Sequence, residues 1–437
     1  MQRKADLADR KRELGIYVHI PFCVRKCLYC DFCSMPAEDD IKFSYVNKLL
    51  REIDSTEEKY AADLSQYQIR TVYIGGGTPS VLYADYIKLI LCKLIDKFLI
   101  RLLDRENRQR WFSNKEQYSD YVNQNHIKQE LEITIEVNPG TVTREKLRAY
   151  RDIGINRLSI GLQSANDEEL KRLGRIHTWR DFLNCYEMAG EAGFENINVD
   201  IMTALPGQTK ESLANTLCKL IELKPGHISA YSLILEEGTV YYELFADQSE
   251  EQREIRDNMV DIKQRLENFS LPGEEEEREM YAFVRDTLKA AGYRQYEISN
   301  FARPGFESRH NTSYWKRISY LGFGLGAASM IGERRLKNTE QLDEYLKTGD
   351  TSECFIEDIA LTKKDAMEET MFLGLRMTEG VNKRAFYDTF GTKLDALYET
   401  EIKKLSADGL IEDTSEYIRL TAKGVDYGNY VFSRFLL

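Results

Sequence analysis

Four cysteines, Cys23, Cys27, Cys30 and Cys33, fall within eleven residues of this chain, directly after the apolar run Ile16–Ile20. Their first three positions follow a C-x3-C-x2-C spacing, which places three thiols on one short loop. Thiolates are soft donors that suit iron–sulfur clusters and zinc. A structural zinc site wants four closed ligands, usually as two separated pairs, and no second Cys or His pair with that spacing occurs. Cys33 could close a zinc site, but four ligands packed so tightly leave little of the two-knuckle geometry. The spacing therefore favours a cubane [4Fe–4S] cluster held at three irons, with the fourth left open, over zinc or a redox disulfide. Cys92, Cys185, Cys218 and Cys354 stand singly and read as small hydrophobes.

A second unusual segment is Gly75-Gly76-Gly77-Thr78-Pro79. It lacks the lysine and helix-opening hydroxyl of a phosphate-binding loop and the spacing of a dinucleotide fingerprint. Glycine there permits close backbone approach to a ligand. Further on, His310-Asn-Thr-Ser-Tyr314-Trp315 combines an imidazole with two aromatics. Read alone, it is a hydrogen-bonded loop histidine beside core aromatics.

The elements that must position these groups alternate. Ile16–Ile20, Thr71–Ile74, Glu132–Val137, Arg157–Leu162, Asn196–Met202 and His227–Leu233 read as strands. Asp167–Leu173, Trp179–Ala192 and Lys210–Leu223 read as helices between them. This repetition predicts an α/β fold with parallel strands and helical crossovers. A doubly wound sheet would give the same local pattern. However, each unusual segment follows the end of a strand: the cysteines, the glycines, Glu136, Gln163-Ser164, Asp200 with Leu-Pro-Gly-Gln (205–208), and Tyr231. That placement favours a partial (β/α)6 barrel. The expected organisation is a charged leader over 1–14, the barrel over 15–240, an accessory segment over 241–355 and a winged-helix-like domain over 356–437. Residues 104–130 and 245–279 read as polar insertions, and 281–335 as an ordered, aromatic-rich segment.

A formal charge of −12 over 437 residues argues against a general nucleic-acid binder. The same charge, and the want of an arginine-rich recognition helix, argue against a winged-helix regulator with a structural metal site. No apolar signal segment opens the chain, and the longest greasy stretch, Ile87–Leu103, carries five charges. A cytoplasmic protein without a membrane span is expected.

Taken in order, YVHIPFC, CDF, IGGGTPS, IEVNPGT, NRLSIGLQS, LGRIH, NVDIM, LPGQT, YEISNFARPG, HNTSYW and YLGFGLGAAS span residues 17–329. This set resembles radical S-adenosylmethionine (SAM) proteins of the oxygen-independent coproporphyrinogen III oxidase-like family. The resemblance implies cluster ligation by Cys23, Cys27 and Cys30, with SAM on the open iron and its reductive cleavage to a 5′-deoxyadenosyl radical. It further implies SAM contacts by Tyr17, Gly76, Gly77, Thr78, Glu136, Gln163, Arg175 and Asp200. Carboxylates suit ribose hydroxyls and arginine suits a carboxylate, although Arg175 and Asp200 would also serve as an ion pair tying helix to barrel. Tyr29 matches a contact to a second SAM in the oxidases, and His19 reads as packing beside the cluster loop.

Three features point to the heme-chaperone branch of the family and away from the oxidases. Only 22 residues precede Cys23, the extra thiol is Cys33 instead of a cysteine two residues after the third, and HNTSYW matches an HNxxYW segment. That branch implies heme as cargo, with His310, Tyr314 and Trp315 as heme-binding candidates, an acceptor protein for the heme, and an electron donor for the cluster.

Overall fold

The computed structural model describes residues 11–99, 131–246, 266, 269–348 and 355–437. The expected insertion over 104–130, Cys354, most of the leader and much of 245–279 lie outside them. The chain divides into two compact units: residues 1–162, 176–197 and 319–359 in the first, and 163–175, 198–318 and 360–437 in the second.

Within the first unit, β1 (Arg12–Ile20), β2 (Tyr67–Gly76), β3 (Glu132–Val137) and β4 (Arg157–Gln163, up to Leu162) pair in sequence order, all parallel. Their apolar positions are buried almost without interruption, as expected of parallel strands covered on both faces. β1 begins at Arg12, inside the expected leader. Its charged first residues are exposed and Glu13 pairs with Arg70 on β2 at 3.6 Å.

β5 (Asn196–Thr203) and β6 (His227–Ser232) are parallel, with β6 and all of β5 after Ile197 in the second unit. There β8 (Asn300–Ala302) runs antiparallel to β6, and β7 (Arg294–Glu297) antiparallel to β8. Back in the first unit, β9 (Tyr320–Phe323) lies parallel on the other side of β1, followed by antiparallel β10 (Ala328–Ile331) and β11 (Arg334–Asn338). β12 (Phe355–Ala360) completes that edge.

Helices fill the crossovers: α1 (Asp39–Leu64), α2 (Ala84–Leu94), α3 (Arg144–Asp152), α4 (Asp167–Arg172), α5 (Trp179–Glu191) and α6 (Lys210–Leu223). α5 and α6 open on capping boxes, Thr178 with Asp181 and Thr209 with Ser212, so sequence fixes their starts. The expected Ile87–Leu103 helix is α2 followed by a π-helical turn over Ile95–Leu99, with its end outside the described residues. Among those residues no helix is long and apolar enough to cross a membrane.

The acidic run Glu274–Glu277 is the first turn of α7 (Glu274–Ala290), where the helix dipole favours negative charge. α8 (Arg309–Trp315) carries the HNTSYW residues. From 360 onward, α9 (Lys363–Gly374) and shorter helices enclose a three-stranded sheet of β13 (Val381–Asn382), β14 (Ile411–Asp413) and β15 (Tyr417–Leu420). Phe386, Leu405, Ile418, Val431 and Phe435 form its core. Helices followed by this small antiparallel sheet are the winged-helix-like arrangement that the sequence predicts.

Candidate functional site

The cysteine loop leaves β1 through Pro21 and Phe22. Its base is closed by the Cys23 amide donating to the Met35 carbonyl at 3.0 Å and the Met35 amide donating to that of Pro21 at 2.8 Å. Phe22, fully buried, packs edge-on against Tyr45. Lys26 Nζ reaches across to the Phe32 carbonyl at 3.1 Å. On this closed loop Cys23, Cys27 and Cys30 are half-buried. Burial pushes the Cys30 thiol up, against the hydrogen bond it has with the Phe32 backbone. Cys33 belongs elsewhere. Its Sγ lies 3.7 Å from the Glu340 carbonyl, and its charged neighbours are Glu340, Lys26 and Lys337.

The glycine segment runs beside the loop base. Gly77 N–H donates to the Ile20 carbonyl at 2.9 Å and Thr78 N–H to that of Phe22 at 2.8 Å. Thr78 Oγ1 lies 3.5 Å from Cys23 Sγ and accepts from Asn138 Nδ2 at 2.8 Å. The glycines are needed by the protein itself, which the sequence reading did not foresee. A Cβ on Gly77 would lie 2.8 Å from the Phe22 carbonyl oxygen and 3.0 Å from Cys23 Sγ. One on Gly76, whose φ is +116°, would lie 2.6 Å from the His19 ring.

Glu136, at the end of β3, is fixed by two donors: Tyr73 Oη to Oε1 at 2.7 Å and Gly76 N–H to Oε2 at 3.0 Å. Tyr73 stacks on Tyr17 with ring centroids 6.3 Å apart. His19 links Tyr17 to the loop. Its Nε2 bonds the Cys33 carbonyl at 2.8 Å, so Nε2 carries the proton and Nδ1 accepts from the Tyr17 hydroxyl at 2.9 Å. Burial holds the imidazole below its usual value, in keeping with a neutral ring. The structure thus brings Tyr17, Gly76, Gly77, Thr78 and Glu136 together beside Cys23, with His19 as packing. It adds Tyr73 and Asn138, which sequence reasoning missed. Tyr29 is half-buried on the loop.

Gln163, Arg175 and Asp200 belong to the second unit. Gln163 has a left-handed φ of 72°. The turn after it is locked by Glu169, a buried carboxylate also missed from sequence. Its Oε2 accepts from Ser164 Oγ at 2.6 Å and Gln208 Nε2 at 3.2 Å, and its Oε1 from Ser212 Oγ at 2.6 Å. Arg175 is half-buried three residues after α4, its amide donating to the Leu170 carbonyl. Asp200 Oδ1 accepts from Asn198 Nδ2 at 2.7 Å.

Of the heme candidates, His310 is 1% exposed, and its Nε2 is 2.9 Å from the Tyr314 hydroxyl. Trp315 packs instead under the Arg376 guanidinium, 4.4 Å from its ring centroid. His310 and Tyr314 act as a pair; Trp315 faces different company.

The donor set suits a cubane cluster: three half-buried thiols on one closed loop, flanked by a glycine with no room for a side chain. Among the described residues no three His, Cys, Asp or Glu side chains group closely enough to hold a single metal ion. A cubane presents a separate iron to each thiolate, so its ligands need not converge on one point.

Comparison with known proteins agrees with this chemistry. The profile of the Radical SAM superfamily matches residues 17–219, and that of the HemN C-terminal domain matches residues 361–427. The chain is 35% identical to the heme chaperone HemW of Lactococcus lactis subsp. lactis, over 96% of this chain and 97% of that protein. It is 36% identical to HemW of Bacillus subtilis over 96% and 98%, and 30% identical to HemW of Escherichia coli over 97% and 98%. Among solved structures, coproporphyrinogen III oxidase (HemN) from Escherichia coli has the same fold, with a TM-score of 0.74 and 22% identity over 100% of this chain and 93% of that one.

Proposed function

The chain belongs to the HemW family of radical SAM proteins, and from that membership we propose that it is a heme chaperone that binds a [4Fe–4S] cluster, SAM and heme. The observation that supports the cluster assignment is the closed loop itself, which carries Cys23, Cys27 and Cys30 half-buried while Cys33 Sγ is turned to the Glu340 carbonyl. A cluster held by three thiolates and open at one iron supplies the electron for reductive cleavage of SAM.

The chain's own groups have binding and positioning duties. Glu136 is held rigid by Tyr73 and Gly76 N–H, which leaves a preset carboxylate for a ligand hydroxyl or ammonium. Tyr17 is oriented by His19, and Thr78 by Asn138. Asp200, held by Asn198, is assigned to ribose hydroxyls and Arg175 to a carboxylate. Gln163 is assigned to SAM at the turn that Glu169 locks. Heme is assigned to the HNTSYW segment. Because His310 is covered and bonded to Tyr314, heme ligation by that imidazole requires α8 to shift. The remaining partners are an acceptor protein for the heme and an electron donor for the cluster, and a cytoplasmic location suits both.

The test is anaerobic reconstitution of the cluster, followed by reductant, SAM, and heme and coproporphyrinogen III offered side by side. Heme uptake without decarboxylation is expected. Vinyl-group formation on coproporphyrinogen III would overturn the chaperone reading in favour of the oxidase.

A further inference from the structure

One buried chain of hydrogen bonds in the second unit joins two sites that the proposed function treats separately. Asp200 Oδ1 accepts from Asn198 Nδ2 at 2.7 Å. Asn198 Oδ1 faces His227 Nδ1 at 2.6 Å and accepts from Ser229 Oγ at 3.1 Å. His227 Nε2 faces the Tyr296 hydroxyl at 2.8 Å, and that oxygen accepts the Ser308 amide proton at 3.2 Å. Ser308 is the N-cap of α8, two residues before His310. His227, Asn198 and Ser308 are all almost wholly buried.

The direction of each bond follows from its partners. Asn198 must turn its amide nitrogen to the carboxylate, so its oxygen accepts and His227 Nδ1 carries the proton. In the neutral ring Nε2 then accepts from the Tyr296 O–H. Every proton, from the Ser308 amide onward, therefore points toward Asp200. Dipoles aligned head to tail in a low-dielectric interior strengthen one another, and a change at one end is felt along the row.

We propose that His227 is a positioning residue that couples Asp200 to the cap of α8, so that SAM and heme bind interdependently. The proposal rests on the reading above, in which Asp200 meets SAM and α8 meets heme. A ribose hydroxyl donating to Asp200 shares its negative charge and weakens its pull on Asn198. The row slackens as far as the Ser308 amide, and the first turn of α8 is held less firmly. Since His310 is covered in the structure, a looser α8 favours heme. The coupling is positive, and by linkage it is reciprocal.

The experiment measures heme affinity from the Soret band of the cluster-reconstituted protein, with and without saturating SAM, and SAM affinity by calorimetry. In the unaltered protein SAM should tighten heme binding about fivefold or more, and heme should tighten SAM by the same factor. In His227→Phe, and in the milder Tyr296→Phe, the SAM effect should fall below about twofold, with heme affinity without SAM raised toward the SAM-saturated level. His177→Phe alters a buried histidine bonded to the Leu162 carbonyl and should keep the coupling. Unchanged SAM dependence in both variants, or independent binding of the two ligands to the unaltered protein, overturns the proposal and leaves the chaperone reading intact. Failure of the unaltered protein to bind either ligand alone overturns that reading and the coupling with it.

Discussion

Cys33 follows Cys30 by three positions, yet its thiol is turned to the Glu340 carbonyl, and that contact sets a single-residue prediction. Alanine at Cys23, Cys27 or Cys30 should remove the cluster, because the remaining thiol of the loop, Cys33, is turned to the Glu340 carbonyl. Alanine at Cys33 should retain iron, sulfide and visible absorbance near the unaltered level; cluster loss in that variant would show the ligand set to be wrong. The thiol spacing was legible in the sequence because it is local. Glu169 was not. In Asn166-Asp-Glu-Glu it resembles any acidic first turn of a helix, and only the fold brings Ser212 and Gln208, 43 and 39 positions away, onto its oxygens. The glycines were half legible. Their need for space showed, but the occupants of that space, His19 and the cysteine loop itself, did not.

At the scale of elements, strands and helices were readable wherever apolar period and caps coincided. β3 and α6 have the bounds that the sequence suggests, whereas β1 extends into a charged segment because β2 offers it pairing partners as far as Tyr67. The π-helical turn after α2 has no sequence signature in the Ile95–Leu99 stretch. In the C-terminal sheet, the hairpin of β14 and β15 is followed by a close approach at Gly424, where a Cβ would lie 1.8 Å from the Leu410 carbonyl oxygen. Gly424→Ala should therefore destabilise this module by about 1–3 kcal/mol, as overpacking does. Limited proteolysis should show faster cleavage within 361–437 while cluster content stays constant. Unaltered cleavage there would mean that the sheet shifts to make room.

For the molecule as a whole, the buried carboxylate of Glu52 shapes the response to pH. It ties α1 to the far end of the first unit, accepting from Gly324 N–H at 3.1 Å, Asn338 Nδ2 at 2.7 Å and the Tyr345 hydroxyl at 2.5 Å. Burial raises its pKa above the usual carboxylate range, against the hydrogen bonds and Lys48, which lower it. The folded state then holds a proton that the unfolded chain has released, so this group's contribution is complete at low pH and is lost as pH climbs from about 4.5 through the folded value. Glu52→Gln cannot titrate. Melting temperatures at pH 5 and pH 8 should show the unaltered protein losing ground to Glu52→Gln at the higher pH. A gap that is constant, or that moves the other way, would mean that the three donors and Lys48 outweigh desolvation.

The parallel pairing of β9 with β1 also has a consequence for biosynthesis. Gly15 to Val18 find their second neighbour in Tyr320 to Phe323, about 300 residues later, which at ribosomal speeds of roughly 5–20 residues per second is about 15–60 s of waiting. During that interval the strand that anchors the cysteine loop presents an open edge, a ready template for pairing with another nascent chain. The thiols emerge early, but the wall behind them arrives late. Cofactor loading before β9 has been made would therefore meet an unfinished site.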